Sequence, residues 1–224
     1  MKIKNLHIYS KNLSAQTAFY KEVLGFSIVE KSTNKIIFKI GNSTLILQEN
    51  KNFKPYHIAF HISAQKEKQA LKWLKKRVEI LKNKEEEIID FSNWEAKSIY
   101  FYDEDKNIIE FISRKYLFPT SSLKFTSVDV CGIAEIGLAV NNVKSTFKYI
   151  KNTSNLEQYF GDEEKFCVIG NDEGLLITVD KNKKTWFPTK DRSRNAAFGL
   201  RFIHENQTFQ LDYNGSKIHL EKLL

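Results

Sequence analysis

Three polar residues stand in segments whose other alternate positions are apolar: His7 in NLHIYS, His57 in PYHIAFHI and Glu110 in NIIEFIS. Successive side chains of a strand point to opposite faces, so the neighbouring Ile8, Ile58 and Ile109 take the other face in each segment. Two imidazoles and one carboxylate on neighbouring strands make a donor set for a divalent metal and leave coordination positions for water or substrate. His61 shares the phase of His57 and suits a proton carrier or an orienting hydrogen-bond partner, with a rim histidine as the competing reading. Tyr100 and Tyr102 share one face of the strand SIYFY. They are candidates for donating a hydrogen bond to a bound substrate, and plain packing is the competing reading. Trp94, in the loop before that strand, is expected to wall a pocket, and Trp186 and Phe187 can reach it from the second half of the chain.

The elements that must hold these residues repeat along the sequence. Residues 2–9 alternate as a strand. Asn12 or Ser14 can cap a helix with Ala15, Ala18, Phe19, Val23 and Leu24 on its apolar side, ended by Gly25. Strands are expected at 26–30, 35–40 and 44–48, the last two joined by a turn at Gly41 and Asn42. A second βαβββ unit follows, with a strand at 55–62, a helix at 65–81 carrying Leu71, Leu74, Val78 and Leu81 on one face, and strands near 88, at 98–102 and at 107–113. The acidic turn DEDKN joins the last two. Residues 115–129 read as a linker, with Pro119 and a Thr/Ser cluster. Beyond it IAEIGLAVNNV has the layout of IKNLHIYSKNL, and FCVIGNDEGLLITVD that of FKIGNSTLILQEN. The fourth unit is shortened to the strand FGLRFI and a hairpin turning at Asn214-Gly215, with no room for a helix.

Tandem βαβββ units with these segments resemble the vicinal oxygen chelate superfamily, which includes glyoxalase I, the bleomycin-resistance proteins, the fosfomycin-modifying enzymes and the extradiol dioxygenases. The resemblance rests on His7 with the helix ending FYKEVLGF, on PYHIAF, and on the closing block SIYFYDEDKNIIEF, in which Glu104 and Lys106 replace the family's usual proline and glycine. It implies an α+β chain of four βαβββ-type units, the last shortened, forming two glyoxalase-like domains with cupped mixed sheets and outer helices. The domains would span 1–114 and 130–224. It also implies a divalent ion (zinc, nickel, manganese or iron) on His7, His57 and Glu110, and a small oxygen-rich substrate. Glyoxalase I adds a fourth ligand where this chain has Ile46, so the resemblance favours three-ligand members with lyase, isomerase, thiol-transfer or extradiol-type chemistry. Sequestration of a small molecule without chemistry, as in bleomycin-resistance proteins, is the alternative. In the second half Gly137 stands for His7, Ala197 for His57 and, loosely, Glu221 for Glu110. That half is therefore expected to be a degenerate partner, with the metal assembled inside the first domain of a monomer or homodimer.

Composition narrows the function classes. The net charge is +8, yet only Arg77, Arg114, Arg192, Arg194 and Arg201 are arginines, and the lysines are interspersed with glutamates. This is a solvated surface and not a nucleic-acid footprint. No apolar run reaches membrane-spanning length, and no secretory signal is visible. Cys131 and Cys167 lie in apolar strand segments, which suits reduced core thiols in the cytosol. No nucleophile elbow, phosphate-binding glycine loop or zinc-finger spacing occurs.

Overall fold

The computed structural model describes residues 1–223. The first unit is β1 (Lys2–Ser10), α1 (Leu13–Ala18), β2 (Ser27–Lys31), β3 (Lys35–Ile40) and β4 (Ser43–Glu49). The second is β5 (His57–Ile62), α2 (Glu67–Leu74), β6 (Ile80–Leu81), β7 (Ile89–Phe91), β8 (Ala96–Tyr102) and β9 (Ile108–Arg114). The third is β10 (Val130–Val140), α3 (Val143–Ser154), β11 (Gln158–Gly161), β12 (Phe166–Asn171) and β13 (Gly174–Asp180), and the fourth is β14 (Phe198–His204), β15 (Gln207–Tyr213) and β16 (Ile218–Leu223).

Local chemistry accounts for most boundaries. Asn12 caps α1 by accepting from the Ala15 N–H, and Asn142 caps α3 by accepting from the Ser145 N–H. After α1 the chain continues as one π-turn, Phe19–Val23, and leaves through Gly25 at φ +73°. The helix expected over 65–81 stops at Leu74. Val78 still packs on the core from a turn, but Leu81 belongs to β6, opposite Tyr100 on β8. The helical spacing thus persists through residues that are not helical. In the fourth unit, Glu205 and Asn206 both take positive φ and join β14 to β15 in a two-residue turn. The hairpin at Asn214-Gly215 forms as expected, and no helix intervenes.

Two mixed sheets result. One runs β16-β15-β14-β1-β4-β3-β2, the other β11-β12-β13-β10-β5-β9-β8-β6, with β7 also paired to β8. The central pairings are antiparallel, β1 with β14 and β5 with β10, so units one and four share a sheet and units two and three share the other. Parallel pairs flank them: β1·β4, β5·β9 and β10·β13. One strand phase, including Ile8, Ile58, Phe60, Ile109, Phe111, Ile136 and Leu200, joins the main core with Phe19, Leu74 and Phe147 from the helical segments. The opposite phase carries the polar residues.

Candidate functional site

The topology decides which candidates meet. His57 starts β5 and Glu110 lies on the parallel neighbour β9. His57 Nε2–H donates to Glu110 Oε2 at 3.0 Å, and Ser98 Oγ on β8 donates to the other carboxylate oxygen. Both residues are nearly buried, at 6% and 3% exposure. They sit at the floor of a cavity of about 510 Å³, whose walls include Trp94, Tyr100, Trp186 and Phe187. The Trp186 ring lies 5.4 Å from the His57 ring, and Tyr100 lies 6.3 Å from it on another side. Two polar atoms here have no partner, Nδ1 of His57 and Nε1 of Trp186.

Two charged residues that the sequence reading did not single out complete the floor. Glu135 on β10 and Glu110 flank Ala59 of β5 in register, on the same face. Burial first, and then the neighbouring Glu110 carboxylate, push the Glu135 carboxyl up to about 8, against the opposing pull of Arg114. Arg114, at the end of β9, reaches Glu135 at 3.2 Å and Asp172 at 3.1 Å from a buried position. A signal for both was present: Arg114 is in phase with Glu110, four residues on, and Glu135 is in phase with Gly137.

His7 does not join this group, which corrects the expected triad. It lies on β1 in the other sheet, paired with Gly199 on β14 and Ile46 on β4. Its row continues through Asp212 on β15 to His219 on β16, beside a separate cavity of about 560 Å³. The His7 Nε2 is buried without a partner, and burial lowers the pKa of the ring. The physical reason for the separation is the exchange of units. β5 takes β10 as its antiparallel neighbour, so His57 faces Gly137 and not His7. The counterpart of His57 is accordingly Gly199, in place of the expected Ala197. Glu221 lies one strand farther out, on the edge strand β16 opposite Gln210, and Asp212 stands beside Gly199.

The remaining candidates are placed as follows. His61 is 2% exposed, lies outside the cavity lining, and donates from Nε2 to the Glu173 carbonyl at 3.3 Å. Burial, with Arg114 nearby, pulls its pKa down to about 4, so the ring is neutral. Tyr100 lines the cavity, and burial raises its pKa well above the usual phenol range. Tyr102 stands outside the lining and donates to Asp191 Oδ2 at 2.6 Å, tying down the loop that carries Trp186.

The fit to a divalent metal is incomplete. His57 and Glu110 are adjacent donors, but the third expected ligand is in the other sheet, and Gly137 stands in its place. Among the described residues no three His, Cys, Asp or Glu side chains converge as a metal-holding group. Nor, among these residues, is any helix long and apolar enough to cross a membrane.

Comparison with known proteins gives the family. No family model matches the chain. The metallothiol transferase FosB of Staphylococcus haemolyticus is 34% identical over 107 residues, covering 44% of this chain and 73% of the relative. FosB of Staphylococcus epidermidis is 33% identical over the same length, with the same coverage. A solved structure described as a "putative dioxygenase" from Bacillus subtilis matches 99% of this chain and 84% of its own, with a TM-score of 0.63 and 13% identity, which bears on the fold alone. With βαβββ units arranged in two mixed sheets and FosB relatives matched over most of their length, the chain belongs to the vicinal oxygen chelate superfamily.

Proposed function

We propose that the protein binds a small organic molecule in the cavity above His57 and Glu110, as a ligand-sequestering member of its superfamily. The observation that supports this most is the cavity itself, about 510 Å³ with aromatic walls and a polar floor. Pockets of this size and make-up suit drug-sized ligands, with apolar contact supplying affinity and a few polar groups fixing orientation. The flat part of the ligand lies against Trp186 and Tyr100. Its polar edge meets the floor formed by the His57–Glu110 pair and Glu135.

A second reading, that of an enzyme, draws on the matched relatives, which are named metallothiol transferases. The observation that favours it is the pairing of His57 with Glu110 beside the buried carboxyl of Glu135. Glu110 orients the imidazole, which is the arrangement of a proton-accepting base, and Glu135 provides a second proton-bearing group on the same face. The substrate would be a small molecule with adjacent oxygens.

A thermal-shift screen of small aromatic and oxygen-rich molecules, with and without chelator, tests the binding reading. A ligand should raise Tm in both conditions, and Ile177→Trp, which fills the cavity, should abolish the shift. A shift that survives Ile177→Trp unchanged, or none from any compound, rejects this site. Product formation by mass spectrometry with the same ligands, lost in Glu110→Gln, would move the conclusion to the enzyme.

A further inference from the structure

We infer that the cup formed by β5, β9 and β10 takes its ligand without a metal, because the indole of Trp186 fills the space of the missing third donor. The inference rests on the reading that the ligand sits in this cavity, and it concerns what else the cavity holds.

The two sheets supply the registration. In one, His7 of β1 stands across from Gly199 of β14. In the other, β10 takes the part of β1 and β5 that of β14, and Gly137, next after the Ile136–Ile58 pair, lies against His57. Gly137 is thus the position from which a partner strand would offer an imidazole to His57 and Glu110. Its φ is not in the left-handed region, so the backbone does not demand glycine. Space does. A Cβ on Gly137 would lie 2.6 Å from Cη2 and 2.8 Å from Cζ2 of Trp186, and 3.2 Å from the His57 Cβ. No side chain fits there while Trp186 holds its position.

Trp186 is held in that position. Its backbone N–H donates to the Asp191 carbonyl at 2.8 Å, and its backbone carbonyl accepts from Thr189 Oγ1 at 3.2 Å. Thr185 and Arg192 pair across the base of the loop, and Tyr102 on β8 fixes Asp191. The side chain is 6% exposed although its loop is on the surface. The remaining donors are already committed. Glu110 accepts from His57 and Ser98, and Glu135 from Arg114, whose buried guanidinium supplies positive charge at the floor. A dication would have to break these pairs and tolerate that guanidinium nearby.

The test is a gain of function. Wild type, His57→Ala, Trp186→Ala, Gly137→His/Trp186→Ala and that double variant with His57→Ala added are dialysed against zinc, nickel, manganese and ferrous iron. They are then freed of loose ion and assayed by elemental mass spectrometry. Wild type should retain well under one equivalent, and the double variant about one, lost again with His57→Ala. Wild type retaining a full equivalent that disappears in His57→Ala overturns the inference and leaves ligand binding in the cavity untouched. A folded double variant that takes up no metal overturns the role given to Gly137 and Trp186. If that variant does not fold, the wild-type content and its response to His57→Ala decide alone. Failure of the binding reading is a separate result, the absence of any ligand shift blocked by Ile177→Trp, and does not alter the metal count.

Discussion

The two sheets begin from one layout and diverge where their central strands meet. Each keeps one imidazole and sets a glycine across from it: His7 with Gly199 in the sheet of units one and four, His57 with Gly137 in the sheet of units two and three. In the first, the freed space admits a carboxylate. A Cβ on Gly199 would come within 3.0 Å of Asp212 Oδ1, and the surroundings are polar, with Asn214, Lys217 and His219 at the cavity. In the second, the space is filled by an indole, the walls are aromatic, and the imidazole is locked to Glu110. Residues that read as one set along the sequence are divided between two cups, and the cups differ in what occupies the space beside the imidazole.

The sharpest way to break this contrast is through the buried charges, which lie almost wholly on the His57 side. Arg114→Met removes the buried donor that satisfies Glu135, and leaving such a buried acceptor unpaired typically costs about 1–3 kcal/mol. Asp212→Asn in the other cup should cost less than about 1 kcal/mol. Urea denaturation of both variants checks the difference, and equal losses would remove the asymmetry.

Next in size is a pH effect at His61. Its folded pKa is depressed from 6.5 to about 4, so its contribution to stability is full above about 6.5 and is lost as pH falls toward 4. The depression corresponds to at most about 3 kcal/mol across that window. His61→Leu should flatten the stability profile between those pH values, whatever it does to stability at pH 7. A profile as steep as that of wild type would refute the buried neutral histidine.

A smaller effect is expected on binding. Trp186→Ala should weaken a cavity ligand by roughly 2 kcal/mol, about 30-fold, as for a central aromatic anchor. His219→Ala should leave that affinity within about twofold, since it lines the other cavity. Isothermal titration compares them. Smallest of all, Glu221→Gln on the exposed edge should change stability by no more than about 0.5 kcal/mol.

Much of this was legible in the residues, because period-2 and helical spacing report which face is buried. The phase of His57 and Glu110, the Asn12 cap, the Gly25 exit and the hairpin at Asn214-Gly215 are all local, and local chemistry determines them. The pairing of units is not local. Nothing within NLHIYS says whether β1 will take its antiparallel neighbour from the second unit or from the fourth, and for that reason strand phase alone groups His7 with the wrong sheet. Helical spacing overruns the end of α2 because Val78 and Leu81 remain apolar after the helix ends. Trp186 was visible as a candidate pocket residue, but its seat above Gly137 depends on the loop pinned by Tyr102 and Asp191.

The division of the ligand set is tested most directly by cobalt(II) titration of wild type, His7→Ala and His57→Ala, followed by visible absorption and calorimetry. If the two histidines serve different cups, any cobalt signal altered by one substitution is left unchanged by the other, and the ligand affinity of the aromatic cavity is the same in His7→Ala as in wild type. One high-affinity cobalt site abolished equally by either substitution would contradict the account, because it would bring His7 and His57 to the same ion.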